Sequence, residues 1–246
     1  MKERKLKILG INFFNGTAQQ VVDELKSGGL LVVPAAPALI SIKKDTDYYQ
    51  SLQQADVVIP DSGYMVLIWN LFHKQKINKL SGLEFFRAFV TDEEVKKESN
   101  IILVDPRPEE AEANLTYLRS VGFNLNNNVS YFAPMYNKAN ITDEKLLTLI
   151  EERKPKYVIV NLGGGTQEKL GAYLKKNLSY KPAIICTGAA IAFLTGQQAS
   201  IPNWADKLFL GWLFRCIARP KLYVPRYFKA FKLVTLMLQH GKNAPV

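Results

Sequence analysis

Three short segments place small or polar residues where a site could form. The first is Asn161-Leu162-Gly163-Gly164-Gly165-Thr166-Gln167-Glu168, directly after the apolar run Tyr157-Val158-Ile159-Val160. Three glycines let the backbone approach a ligand closely and adopt positive φ, and a helix opening at Thr166 would aim free N–H groups at an anion. No Gly-Lys-Ser/Thr follows, so this is not a P-loop. The spacing also fails the dinucleotide fingerprint, which leaves a dinucleotide oxidoreductase weakly supported. The structural alternative is a glycine-rich turn capped by Thr166. The second segment is Asp56-Val57-Val58-Ile59-Pro60-Asp61-Ser62-Gly63-Tyr64. Asp61 falls where a buried run ends and a helix begins, and it suits either an N-cap or a general base. In the third, Ile185-Cys186-Thr187-Gly188-Ala189-Ala190, small residues around Gly188 permit close approach to a ligand or tight helix–sheet packing.

Other chemistries find little support. His73 and His240 are the only histidines, and neither has a partner at zinc-ligand spacing. There is no Gly-x-Ser-x-Gly elbow and no paired-carboxylate signature of a glycosidase. Cys186 and Cys216 are far apart and read as small buried hydrophobes in a reducing compartment.

The elements that must position these residues alternate short apolar runs with amphipathic stretches, the pattern of an α/β domain. Strands are expected at 30–34, 56–60, 100–104, 129–132, 157–162 and 183–187. Several are apolar throughout, as in a parallel sheet covered on both faces. Helices are expected from Thr17 to Ser27, from a Thr142 cap to Arg153, from Pro108 to Ser120 and over residues 64–72. The predicted fold is therefore a single Rossmann-like domain, its mainly parallel sheet flanked by helices. The catalytic unit is expected over residues 1–203, with a basic amphipathic helical tail over 204–246.

Charge sets that tail apart. The 246-residue chain carries 32 Lys and Arg against 22 Asp and Glu, a formal net charge of +10. From Lys207 onward every charged residue is basic: Lys207, Arg215, Arg219, Lys221, Arg226, Lys229, Lys232 and Lys242. Residues 204–239 read as two helices broken near Arg219-Pro220. In the second, Tyr227, Phe231, Val234 and Leu238 form one stripe, with Arg226, Lys229 and Lys232 broadly opposite. A basic helix with aromatics on its apolar side suits the plane of an anionic membrane. The alternatives are a helix packed on the domain, or a nucleic-acid surface, for which no binding motif is present. No run of eighteen apolar residues suggests a span, and the N-terminus has no small-residue cleavage site of a secretory leader.

In this order the motifs resemble the WecG/TagA/CpsF family of bacterial glycosyltransferases, glycosyltransferase family 26, over nearly the whole chain. The resemblance begins at Leu9-Gly10-Ile11-Asn12-Phe13 and runs through Val32-Val33-Pro34-Ala35-Ala36-Pro37 and the Asp61 segment. It continues through Lys79-Leu80-Ser81-Gly82-Leu83-Glu84-Phe85, the glycine loop, Gly188-Ala189-Ala190 and a tail with Trp212, Arg215, Arg219-Pro220 and Arg226-Tyr227. It implies inverting, metal-independent transfer from a UDP-sugar to a polyprenyl-diphosphate-linked glycan, in cell-envelope polysaccharide or exopolysaccharide synthesis, with no cofactor. It also implies a cytoplasmic protein peripheral on the inner face of the plasma membrane, and it allows a homo-oligomer.

Residue by residue, the resemblance implies Asp61 as general base. The donor pocket would hold Gly163, Gly164, Gly165, Thr166, Gln167, Glu168, Gly188 and Lys79. Arg215, Arg219 and Arg226 would neutralise diphosphate at the membrane. The chain also departs from the family. Pro34 and Ala36 stand where a threonine and an asparagine are usual, Lys79 stands for an arginine, Ala192 for an aspartate and Ser200 for an arginine. The usual Asp-Gly is here Asp61-Ser62-Gly63. These changes imply a transferase of altered sugar specificity, the alternative being a non-catalytic nucleotide-sugar-binding or scaffold subunit.

Overall fold

The computed structural model describes residues 4–197, 211–218 and 220–245; for residues 211, 212, 215, 218, 222, 223, 226 and 227 it describes the helical backbone alone. Eight strands form one sheet: β1 (Lys5–Ile8), β2 (Ile11–Phe14), β3 (Gly29–Val32), β4 (Val57–Val58), β5 (Ile101–Asp105), β6 (Ser130–Phe132), β7 (Tyr157–Val160) and β8 (Ala183–Cys186). Their order is β1-β2-β4-β3-β8-β7-β5-β6. Every pairing is parallel except β1 with β2. The expected α/β fold is thus present. The step from β3 to β4 runs toward the β1 edge, whereas β5 lies on the far side of β3, so the winding reverses. Doubly wound sheets bind ligands at that reversal, outside the carboxyl ends of the strands.

The six expected strands are present, most of them a residue or two shorter. β3, β5, β7 and β8 are buried along their whole length, which matches their apolar sequences, β5 alone ending in a charged residue, Asp105. The antiparallel hairpin of β1 and β2 was not foreseen. Its signal is the alternation Lys5-Leu6-Lys7-Ile8, exposed and buried in turn, followed by Leu9 and Gly10 at φ 50 and 75.

Helices cover both faces. They are α1 (Ala18–Leu25), α2 (Ala36–Leu39), α3 (Thr46–Gln54), α4 (Gly63–Phe72), α5 (Gly82–Thr91), α6 (Glu93–Glu98), α7 (Pro108–Ser120), α8 (Glu144–Arg153), α9 (Thr166–Asn177) and α10 (Ala190–Leu194). Thr17 caps α1 in a reciprocal box with Gln20, as its sequence suggests. At α8 the cap is Asp143 rather than Thr142: the Asp143 carboxylate accepts from Leu146 N–H at 2.9 Å.

Among the described residues the tail forms three helices, α11 (Gly211–Ala218), α12 (Pro220–Ala230) and α13 (Lys232–His240). The helical run breaks at Phe231, and the break expected at Arg219-Pro220 turns on Arg219, which lies outside the described residues. The apolar face of α13 also differs from the expected stripe. Phe231 and Leu238 are exposed, while Ala230, Leu233, Leu236 and Met237 pack in the same core as β1, β3 and α4. α13 is apolar on two adjacent rows, and the core takes the row that the stripe omitted. Two backbone bonds, Leu9 N–H to Gly241 O at 2.8 Å and Gly10 N–H to Lys242 O at 3.1 Å, tie the C-terminal segment to the hairpin turn. The end of the tail is therefore part of the α/β body. Among the described residues, no helix is long and apolar enough to cross a membrane.

Candidate active site

A cavity of about 790 Å³ opens at the carboxyl ends of β3, β4, β5, β7 and β8. Of the residues singled out in the sequence, it brings together Asp61, Gly163, Gly164, Thr166, Gln167 and Gly188. Gly165, Glu168 and Lys79 are not among its lining residues.

Asp61 reaches the cavity because β4 ends in Ile59-Pro60 and the chain turns before α4. Of its two possible roles, the N-cap is taken by Ser62, whose hydroxyl accepts from Met65 N–H at 3.1 Å. The Asp61 carboxylate instead accepts from Gly82 N–H at 2.9 Å, across the cavity mouth at the start of α5. One oxygen is thus anchored, which fixes where the carboxylate sits. Ser81 caps α5.

The glycine loop is built differently from the expected anion hole. Thr166 and Gln167 N–H both donate to Gly163 O at 3.2 Å, and Gly165 N–H donates to the Glu168 carboxylate at 2.7 Å. The first turn of α9 has therefore spent these donors internally. Gly165, at φ 89, caps the helix where the sequence suggested Thr166. A Cβ on Gly163, Gly164 or Gly165 would meet nothing within 4 Å, so open space lies before the loop and a ligand can approach the backbone. Gly188 is constrained differently. It has φ 58, and a Cβ there would stand 3.2 Å from Leu162 O and 3.4 Å from Gln167 Oε1.

Beneath the loop Glu168 is 1 % exposed. Burial pushes its carboxyl up to about 7, against the lowering effect of its donors, among them Gly165 N–H and the Gln167 amide. Glu168 thus supports the loop from behind and bonds Gln167 Nε2 at 3.3 Å. That bond leaves Gln167 Oε1, buried and unpartnered, as the other end of the amide of a cavity-lining residue. Burial, with Glu168 adding to it, also lifts the Cys186 thiol and the Tyr48 phenol well above their usual ranges, so neither is an available nucleophile.

Among the described residues, the cavity's cations are Arg107, Lys138 and Lys229. Arg107 is paired with Glu110, Nε to Oε1 at 2.9 Å. Lys229 comes from α12, on the basic face expected to meet an anionic membrane; it is exposed and also lines the cavity. Arg219 lies outside the described residues. Arg215 and Arg226 sit on α11 and α12 with their side chains outside the description. Part of the lining is apolar, formed by Val33, Ala35, Pro37, Ala38 and Ile40.

The deciding comparison is one of sequence. The model of the Glycosyl transferase WecG/TagA/CpsF family matches residues 6–245. The chain belongs to this family. It is a glycosyltransferase, and its cavity is the candidate active site. Two relatives, from Staphylococcus aureus strains MRSA252 and NCTC 8325 / PS 47, are each 22% identical over 221 residues, covering 87% of this chain and 84% of theirs. Both are named N-acetylglucosaminyldiphosphoundecaprenol N-acetyl-beta-D-mannosaminyltransferase.

Sequence reasoning missed several lining residues of this glycosyltransferase. Lys138 lies in an irregular segment with no motif around it. Asn114 sits within α7, where an asparagine reads as an ordinary polar position. Arg107 immediately precedes Pro108, whose helix-start signal drew attention to the helix and away from its cap. Asn161 was legible as part of the glycine-loop segment, but its bond to Asp105 was not.

Proposed function

We propose that this glycosyltransferase moves a sugar from a UDP-sugar to a polyprenyl-diphosphate-linked N-acetylglucosamine acceptor, with inversion and without a divalent metal. The observation that carries this reading is the convergence of the Asp61 carboxylate, the open glycine loop, Gln167 and three cations on one cavity. Asp61 takes the proton of the acceptor hydroxyl as that oxygen attacks the anomeric carbon from the face opposite UDP. The bond from that carbon to the diphosphate breaks, and UDP leaves with growing negative charge. Lys138, Lys229 and Arg107 are placed to stabilise it, joined by Arg215, Arg219 and Arg226 when the tail meets anionic lipid. Gln167 and Gly188 shape the donor side, and Lys79 acts from outside the lining.

The relatives' names support the acceptor. Ala192, which lines the cavity where the family carries an aspartate, supports a donor sugar different from theirs; Pro34 and Ala36 are not among the lining residues. The enzyme works as a peripheral protein on the inner membrane face, held there by tail cations that contribute about 1 kcal/mol each near an anionic surface. Nucleic acid is not a partner in this account.

Metal-free melting with UDP, a panel of UDP-sugars and NAD tests the donor. A ligand at about 100 times its Kd adds about 2.7 kcal/mol, or roughly 5–11 °C for a domain of this size. UDP compounds should raise Tm and NAD should not. Absence of any UDP shift, with and without anionic vesicles, would favour the scaffold reading.

A further inference from the structure

At the β5–β7 side of the cavity lies a polar cluster that the transfer chemistry does not use. Asp105 ends β5 and is fully buried; Asn114 on α7 and Asn161 after β7 are 2 % and 7 % exposed, and both line the cavity. Sheet register sets Val104 beside Val160 and so carries Asp105 next to Asn161. Asp105 Oδ1 accepts from Asn114 Nδ2 at 2.7 Å and from Asn161 Nδ2 at 2.8 Å. Two atoms remain buried without a partner, Asp105 Oδ2 and Asn161 Oδ1. Both are acceptors when Asp105 is ionised. Two orphaned acceptors on adjacent, already bonded groups are costly, and a single proton between them would satisfy both.

We propose that Asp105 takes up a proton as an anionic ligand enters the donor cavity and donates it from Oδ2 to Asn161 Oδ1, closing a carboxylic acid–carboxamide ring that serves there as a neutral positioning element. The ring fixes both cavity asparagines by their amides and removes a negative charge from beneath an anionic ligand. Asp105 is thus a positioning residue, and its effect on the ligand rests on the UDP-sugar reading above. Burial drives its carboxyl up to about 6, Glu110 adds to the rise, and the two amide donors oppose it. The titratable groups around it are few. α7 brings Arg107 at its N-cap, paired with Glu110, together with Glu109, and β6 brings the phenol of Tyr131, which donates to Asp143. A diphosphate arriving in the cavity would favour the protonated form further, so binding takes up a proton.

Asp105→Asn is the informative variant, because its amide can make the same three bonds with no proton to lose. The first arm needs no ligand. Infrared spectra of the wild type minus Asp105→Asn should show a protonated-carboxyl band that titrates away with a midpoint near about 6. A carboxylate already ionised at about pH 5 overturns the proposal. The second arm uses calorimetry with UDP-N-acetylglucosamine, whose diphosphate does not titrate in this range, in buffers of differing ionisation enthalpy. Wild-type Kd should weaken by up to tenfold per pH unit above about 6, with proton uptake, while Asp105→Asn binds with flat pH dependence. Identical flat profiles for both proteins would overturn the positioning role. Absence of binding by both at every pH would count against the UDP-sugar reading, and the infrared arm would still decide the protonation of Asp105.

Discussion

Replacing Glu168 by glutamine should reverse its effect on stability between acidic and alkaline pH. Glu168 is buried under the glycine loop, and burial raises its carboxyl from 4.5 to about 7. A carboxyl raised in the folded state contributes stability that is fully present below its unfolded value and is lost as pH rises through the folded value. The difference of about 2.5 units corresponds to about 3 kcal/mol, lost progressively between roughly pH 4.5 and 7. Glutamine removes this dependence. It can still accept from Gly165 N–H, but it sets an N–H₂ against Gln167 Nε2 and so gives up a hydrogen bond worth about 1 kcal/mol. Glu168→Gln should therefore be slightly less stable than wild type near pH 4.5 and about 2 kcal/mol more stable near pH 8, or roughly 4–8 °C in Tm. Thermal melts of both proteins across that range make the comparison, and the difference between them removes the similar contribution of Asp105. Parallel curves at all pH values would refute the reasoning, because they would mean that Glu168 ionises in the fold as easily as in water.

Two further outcomes are expected. Leu233→Ala, at a fully buried position of α13, should cost about 2–5 kcal/mol by denaturant melting; a loss below about 0.5 kcal/mol would mean that α13 is not part of the core. The protein should float with vesicles of anionic lipid and not with neutral phosphatidylcholine, and added salt should release it; equal binding to both vesicle types would remove the electrostatic account of the tail.

Unbroken apolar runs such as Tyr157-Val158-Ile159-Val160 made the parallel sheet legible, because strands covered on both faces leave no other period to read. The hairpin of β1 and β2 was harder to see: each strand has four residues, and its partner is recognised only through the Leu9-Gly10 turn. Asp61, the glycine loop and Gly188 could be read as site residues because each follows a strand of the sheet. What the sequence could not show was the direction of individual bonds. Gly165 N–H turns inward to Glu168, Asp61 reaches Gly82 across the chain, and Asp105 meets Asn161 only through sheet register. The packing of the tail was hidden for a related reason. Its charge was plain, but two apolar rows on one short helix compete for the core, and only packing selects between them. Deleting the chain beyond about Ala205 would therefore remove side chains of the core.

The most direct test is transfer itself. Release of UDP from a panel of UDP-sugars should be followed with a short polyprenyl-diphosphate N-acetylglucosamine acceptor, anionic vesicles and a chelator, for wild type and Asp61→Asn. The account predicts acceptor-dependent turnover by the wild type, and a loss of about 10²–10⁴-fold in Asp61→Asn with its Tm nearly unchanged. Wild-type rates retained by Asp61→Asn would contradict the role given to this carboxylate.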